Sequence, residues 1–102
     1  MYNMTVGLYI HNSIEYEKYR RKISPILREH DGNFKLDFWV IPLREDKKIN
    51  RLFIIQFPNK KMMKKFFSDE RYLRAKAAHF ETSVSETIIY QRYFYEKKHQ
   101  NE

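Results

Sequence analysis

The stretch RLFIIQF, Arg51–Phe57, decides the fold. It is too short for an ordinary helix, rich in β-branched and aromatic residues, and stopped by Pro58, so it reads as a β-strand. Alternate side chains of a strand point to opposite faces, which separates Leu52, Ile54 and Gln56 from Phe53, Ile55 and Phe57. Both sets are mostly apolar, so this strand needs cover on two sides.

Working outward, residues 3–10 (NMTVGLYI) alternate with Met4, Val6, Leu8 and Ile10 on one face, a first strand. The period then changes. Asn12 followed by Glu15 matches a capping box, and Tyr16, Tyr19, Ile23, Ile26, Leu27 and His30 recur at spacings of three and four, the stripe of an amphipathic helix. Pro25 inside that stripe predicts a kink, or a break with Ser24 capping a second piece, and Gly32 is expected to close the helix in the left-handed conformation.

A second strand is expected over residues 33–42 (NFKLDFWVIP), with Phe34, Leu36, Phe38 and Val40 opposed to Lys35, Asp37, Trp39 and Ile41. The polar run 43–50 (LREDKKIN) reads as a hairpin loop, which makes RLFIIQF antiparallel to the second strand. Asn59 then caps a helix containing Met62, Met63, Phe66 and Phe67; after a break at Ser68 and Asp69, another helix runs to Phe80 with Leu73, Ala77 and Phe80 inward. Residues 83–95 (SVSETIIYQRYFY) form a long fourth strand.

The order β-α-β-β-α-β is that of an α+β, ferredoxin-like domain. Right-handed crossovers place both helices on one face of a four-stranded antiparallel sheet. The other face is left bare, exposing Tyr9, Trp39, Ile41, Phe53, Ile55 and Phe57, or the opposite set if the inward side is reversed. A patch of that size exceeds what a soluble monomer usually carries, so the expected partner is a second copy, a homodimer through the sheet faces.

The 102 residues make one domain, residues 1–95, followed by a charged tail at 96–102. Eight Tyr, eight Phe and one Trp supply a core. With no cysteine there is no disulfide, zinc-thiolate site or thiol nucleophile. No apolar run reaches the roughly 20 residues of a membrane span, and the N-terminus lacks a secretory signal pattern, so the expected location is cytoplasmic. The net charge of +7 keeps anionic partners under consideration.

The run YEKYRRKISPILREHDGNF resembles the signature of a small family of uncharacterised dimeric α+β barrel proteins, a domain of unknown function, in which Tyr16, Tyr19, Pro25, His30, Gly32 and Phe34 occupy the characteristic places. Further on, IIQFPNKKMMKKFFSDERYL is similar to the same family through Phe57, Pro58, Phe66, Asp69 and Tyr72. The family usually has two glycines where this chain has Asp31 and Gly32, and often an arginine where His79 stands. The resemblance implies the fold and the dimer and carries no mechanism.

Small haem-degrading and quinol-type monooxygenases of this architecture hold their sites in the cleft between helices and sheet. The candidate ligand-binding residues for such a cleft are His11, Tyr16, Tyr19, Trp39 and His79, with an imidazole as base or ligand. No two histidines have metal-ligand spacing on one element, so no metal site is expected, and no motif calls for a cofactor. The residues themselves favour core packing for the tyrosines. The leading expectation is a small-molecule-binding homodimer; an oxygen- or haem-dependent enzyme and an RNA-binding module are the alternatives. Tyr9 in LYIHN fits the first sheet motif of RNA recognition domains, but INRLFIIQF lacks the glycine and spaced aromatics of the second, which disfavours nucleic acid. The lysines at 60, 61, 64 and 65 read as a solvated helix face. Asp37, the acid inside an apolar strand, is expected to pair with Arg51 or Arg92.

Overall fold

The computed structural model describes residues 1–44 and 48–94. Part of the expected 43–50 loop, Tyr95 and the 96–102 tail lie outside the described residues. The strands β1 (Tyr2–Ile10), β2 (Asn33–Trp39), β3 (Arg51–Phe57) and β4 (Val84–Phe94) form one sheet in the order β2-β3-β1-β4. Every neighbouring pair is antiparallel. The helices are α1 (Ser13–Glu29), α2 (Lys60–Ser68) and α3 (Glu70–Ala75), which runs into a single π-helical turn, Lys76–Phe80. This is the ferredoxin-like α+β arrangement.

Which side of β3 faces the helices is now fixed. Phe53, Ile55 and Phe57 are buried with Met4, Val6, Leu8 and Ile10 of β1, and they close the core against Tyr16, Tyr19, Ile23 and Leu27 of α1 and Phe66 of α2. The bare face therefore carries Leu52, Ile54 and Gln56 instead, beside Thr5, Gly7 and Tyr9 of β1. Of the two sets left open by the sequence, the Phe53 set is thus the inward one and not the exposed one: three large side chains at the sheet centre bury more apolar area than Leu52, Ile54 and Gln56 would.

Strand β2 departs from strict alternation. Its pairing with β3 shifts between Lys35 and Phe38, so Leu36 and Asp37 together oppose Phe53. Leu36 takes a left-handed φ of 45° at this β-bulge. Phe34, Asp37 and Trp39 consequently share the helix side, and Phe38 joins Lys35 on the bare side, which corrects the expected grouping. The strand ends at Trp39 rather than at Pro42. In β4 a second shift, between the partners of Thr5 and Val6, sets Tyr90 beside Gly7, where a Cβ would lie 2.7 Å from the Tyr90 ring. Any side chain there would make the half-exposed Tyr90 ring move aside.

Of the two outcomes expected at Pro25, a kink or a break, the break does not occur: helix α1 is continuous through it. Ser24 caps no second helix; its hydroxyl donates to the Arg20 carbonyl at 2.6 Å. At the start of α1 the Asn12 side chain accepts from the Glu15 amide, as the capping pattern predicts. At the end, Asp31 and not Gly32 takes the left-handed turn, with φ 57°. Gly32 serves close packing instead: a Cβ there would stand 2.5 Å from Leu27 and 3.0 Å from Phe57.

Asn59 and Asp69 cap α2 and α3 by accepting from the Met62 and Arg71 amides. The inward residues of α3 are Tyr72 and Ala75, whereas Leu73 is 46% exposed. Asp69, with an extended ψ of 129°, interrupts the helix and caps a new one, so the spacing carried over from Phe66 no longer marks the buried side. That restart corrects the expected inward placement of Leu73 and Ala77.

Candidate functional site

Between the helix layer and the sheet lies a cavity of about 570 Å³. Its floor is the helix-side face of the sheet, from Met4, Val6 and Leu8 to Phe53 and Ile55. Tyr16, Tyr19 and Ile23 of α1 form one wall; Met63, Phe66 and Tyr72 form the other. The most exposed lining residues are Lys64 and Ser68 on α2 and Thr87, Ile89 and Arg92 on β4, with Lys76 partly exposed, so the mouth opens between α2 and β4.

The aromatic stripe of α1 supplies the hydroxyls. The Tyr19 hydroxyl lies 3.4 Å from that of Tyr72, and Tyr19 also packs on Phe80 with ring centroids 5.0 Å apart. Burial raises the Tyr19 phenol well above its ordinary value of 10.0, with the neighbouring Tyr72 adding to the effect. Burial raises Tyr72 as well. For Tyr16 burial also wins, although Arg20 pulls in the opposite direction.

Arg20 sits four residues after Tyr16, on the buried stripe. Its Nε donates to the Tyr16 hydroxyl at 2.7 Å, and its Nη1 and Nη2 donate to the two Asp37 oxygens at 2.9 Å each. Arg51 Nε donates to Asp37 at 2.9 Å from the other side. The Arg20 guanidinium also lies 3.6 Å from the Phe34 ring centroid, and that of Arg51 4.6 Å from Trp39. Burial pushes the Asp37 carboxyl up, but the hydrogen bonds from Arg20 and Arg51 outweigh it and hold the group below its ordinary 3.8. The β2 bulge makes this cluster, by turning Asp37 toward α1. The expected Asp37–Arg51 pair is present, with Arg20 as the additional partner.

Of the residues singled out from the sequence, Tyr16 and Tyr19 line the cavity. Trp39 stands behind them, edge-on to Tyr16 with centroids 6.5 Å apart. His11 is exposed at the end of β1, next to Tyr9. His79 faces the start of α1, its Nδ1 3.4 Å from a Glu15 oxygen without hydrogen-bond geometry, and neither ring nitrogen has a hydrogen-bond partner. None of the described histidines lines the cavity. Among the described residues no cluster of His, Asp or Glu has the makings of a metal site. No described helix is long and apolar enough to cross a membrane.

Sequence reasoning missed Arg20, Tyr72 and the mouth residues. Arg20 carries a legible signal, a cation on an otherwise apolar helical stripe; the β4 residues carry none, because their role follows from the helices leaving that strand's inner face open.

His30 and Asp69 shape the site from outside. His30 Nδ1 lies 2.9 Å from the Ile26 carbonyl, and Nε2 lies 3.9 Å from Asp69. Arg71 bridges Asp69 and Glu29, joining the end of α1 to the start of α3. Hydrogen bonds from Arg71 hold the Asp69 carboxyl at about 2.

A four-stranded antiparallel sheet, one helical layer and an apolar cleft between them define a ferredoxin-like α+β protein. More specifically, the chain belongs to the DUF1330 family, a domain of unknown function whose model matches residues 4–93. Its fold is similar to that of a protein of unknown function from Rhodopseudomonas palustris, at TM-score 0.78 and 16% identity, covering 94% of this chain and 82% of that one. A ferredoxin-like DABB family protein from Mesorhizobium loti aligns at TM-score 0.64 and 10% identity, covering 93% and 96%. An antibiotic biosynthesis monooxygenase aligns at TM-score 0.62 and 9% identity, covering 94% and 99%. At these identities the likeness concerns the fold. No curated protein matches the chain in sequence.

Proposed function

We propose that the protein is a homodimer that binds a small molecule in the cleft between its helices and sheet. The observation that carries this reading is the ≈570 Å³ cavity, lined largely by apolar and aromatic side chains and open at one side, within the roughly 300–1,000 Å³ of small-ligand sites. The tyrosine hydroxyls at its wall supply the few polar groups that orient a guest. For the dimer, the support is the uncovered sheet face, where Tyr9, Leu52, Ile54, Ile88 and the half-exposed Phe38 and Tyr90 lie together. Titration with 1-anilinonaphthalene-8-sulfonate tests the pocket. Saturable one-to-one fluorescence enhancement, lost in Ile89→Trp at the mouth, is expected; no enhancement overturns the pocket. Sedimentation at micromolar concentration tests the dimer, which a stable single-chain species overturns.

The second reading, an oxygen- or haem-dependent enzyme, draws on the fold shared with the monooxygenase. It wants an imidazole at the cleft. His79 points instead to Glu15, so ligand binding is the better-supported function.

A further inference from the structure

The lining of the cavity is electrically one-sided. Arg20, Lys64, Lys76 and Arg92 belong to it, and none of the described Asp or Glu residues does. Arg20 is already neutralised inside the wall, clasped by Asp37 and capped by Tyr16. The other three are different. Lys64 on α2, Lys76 at the start of the π-helical turn and Arg92 on β4 make no ion pair with a described carboxylate, and Lys64 and Arg92 are among the lining residues that reach solvent. Lys64 also continues outward into the basic surface of Lys60, Lys61 and Lys65. Below this ring the walls are Met63, Phe66, Phe67 and Phe80, and exposed Ile89 sits at the edge.

An apolar chamber rimmed by cations that pair with no described carboxylate matches one kind of guest. We propose that the pocket takes an amphiphilic carboxylate, with its hydrocarbon or aromatic body in the chamber and its anionic head at the mouth against Lys64, Lys76 and Arg92. This rests on the small-molecule reading above and specifies the ligand's chemistry. Neutral interior polar groups and a charged rim divide the work: the apolar walls supply affinity through burial, and the rim selects the sign of the head group. An uncharged body of the same shape forfeits the rim, and a cationic one is repelled by it.

The test compares dodecanoate, dodecanol and dodecyltrimethylammonium by calorimetry at neutral pH, each below its micelle-forming concentration. Wild-type protein is expected to bind dodecanoate about tenfold more tightly than dodecanol, and the ammonium more weakly than either. Raising the salt should shrink the preference. In the combined variant Lys64→Gln, Lys76→Gln, Arg92→Gln, checked for native circular dichroism, the three affinities should converge. Equal binding of dodecanoate and dodecanol to wild type overturns the anionic head while leaving the pocket in place. Preference that survives in the triple variant overturns the assignment to these cations. Failure of all three ligands, together with failure of the naphthalene probe, overturns the pocket itself.

Discussion

Arg20 of α1 and Asp37 of β2 meet fork to fork, Nη1 to Oδ2 and Nη2 to Oδ1, each at 2.9 Å. Such bidentate pairing fixes orientation as well as distance. It pins the edge strand β2 to the helix layer, and Arg51 of β3 holds the same carboxylate from within the sheet. Asp37→Asn is expected to cost about 1–2 kcal/mol at neutral pH, between exposed and buried pairs. The Asp37 carboxyl titrates below 3.8 in the folded chain. Its contribution is thus complete above the unfolded value and lost as pH falls through the lower folded one. Urea denaturation of both proteins should therefore show a gap at pH 7 that closes under acid; a gap constant with pH contradicts this.

Alkali probes the tyrosines. Burial raises Tyr16, Tyr19 and Tyr72 above 10.0, so the folded state keeps their protons when the unfolded chain would release them. The stability they confer is complete below that value and declines as pH rises through it. Tyrosinate absorbance should appear in two stages: exposed rings first, then a cooperative rise coincident with loss of circular dichroism. A single stage near pH 10 with the fold intact contradicts the buried placement.

The end of α1 predicts opposite outcomes at adjacent positions. Asp31→Gly should stabilise by about 0.5–1 kcal/mol, because glycine takes a positive φ without strain. Gly32→Ala should destabilise, since its methyl would meet Leu27 and Phe57, at about 1–3 kcal/mol for overpacking. Thermal melts of the two variants should move in opposite directions.

For the proposed dimer through the bare sheet face, Ile54→Lys is expected to shift the protein toward monomer with its helical circular dichroism retained, as is Tyr9→Ala to a smaller degree. Sedimentation velocity reads both. Retention of a dimer in Ile54→Lys would place the interface elsewhere.

Much of this molecule is legible in its residues. Alternation in β1 gives the inward set Met4, Val6, Leu8 and Ile10, and the Asn12 and Asn59 caps mark where α1 and α2 begin. The stripe of Tyr16 and Tyr19 marks the buried side of α1, while their place at a cleft is suggested only by analogy with enzymes of this architecture. In β3 both faces are apolar, so alternation could not say which one turns inward; only the competing packing of α1 and α2 decides it. In β2 the bulge is invisible, because Leu36 has neither the composition nor the conformational preference that announces a left-handed residue. Tyr72 was hidden by the helix restart at Asp69, and the cavity mouth by the fact that an uncovered strand face leaves no mark on local sequence.

Leu36 has an unusual status in the sheet. Phe34 already faces Ile55, and Phe38 already faces Leu52, so between these fixed points β2 holds two residues where β3 has one. Removing Leu36 would leave an ordinary ladder with Asp37 opposite Phe53 and every neighbouring side chain on its present face. The strand thus contains a built-in spare, a place where the chain can be shortened without scrambling what lies on either side.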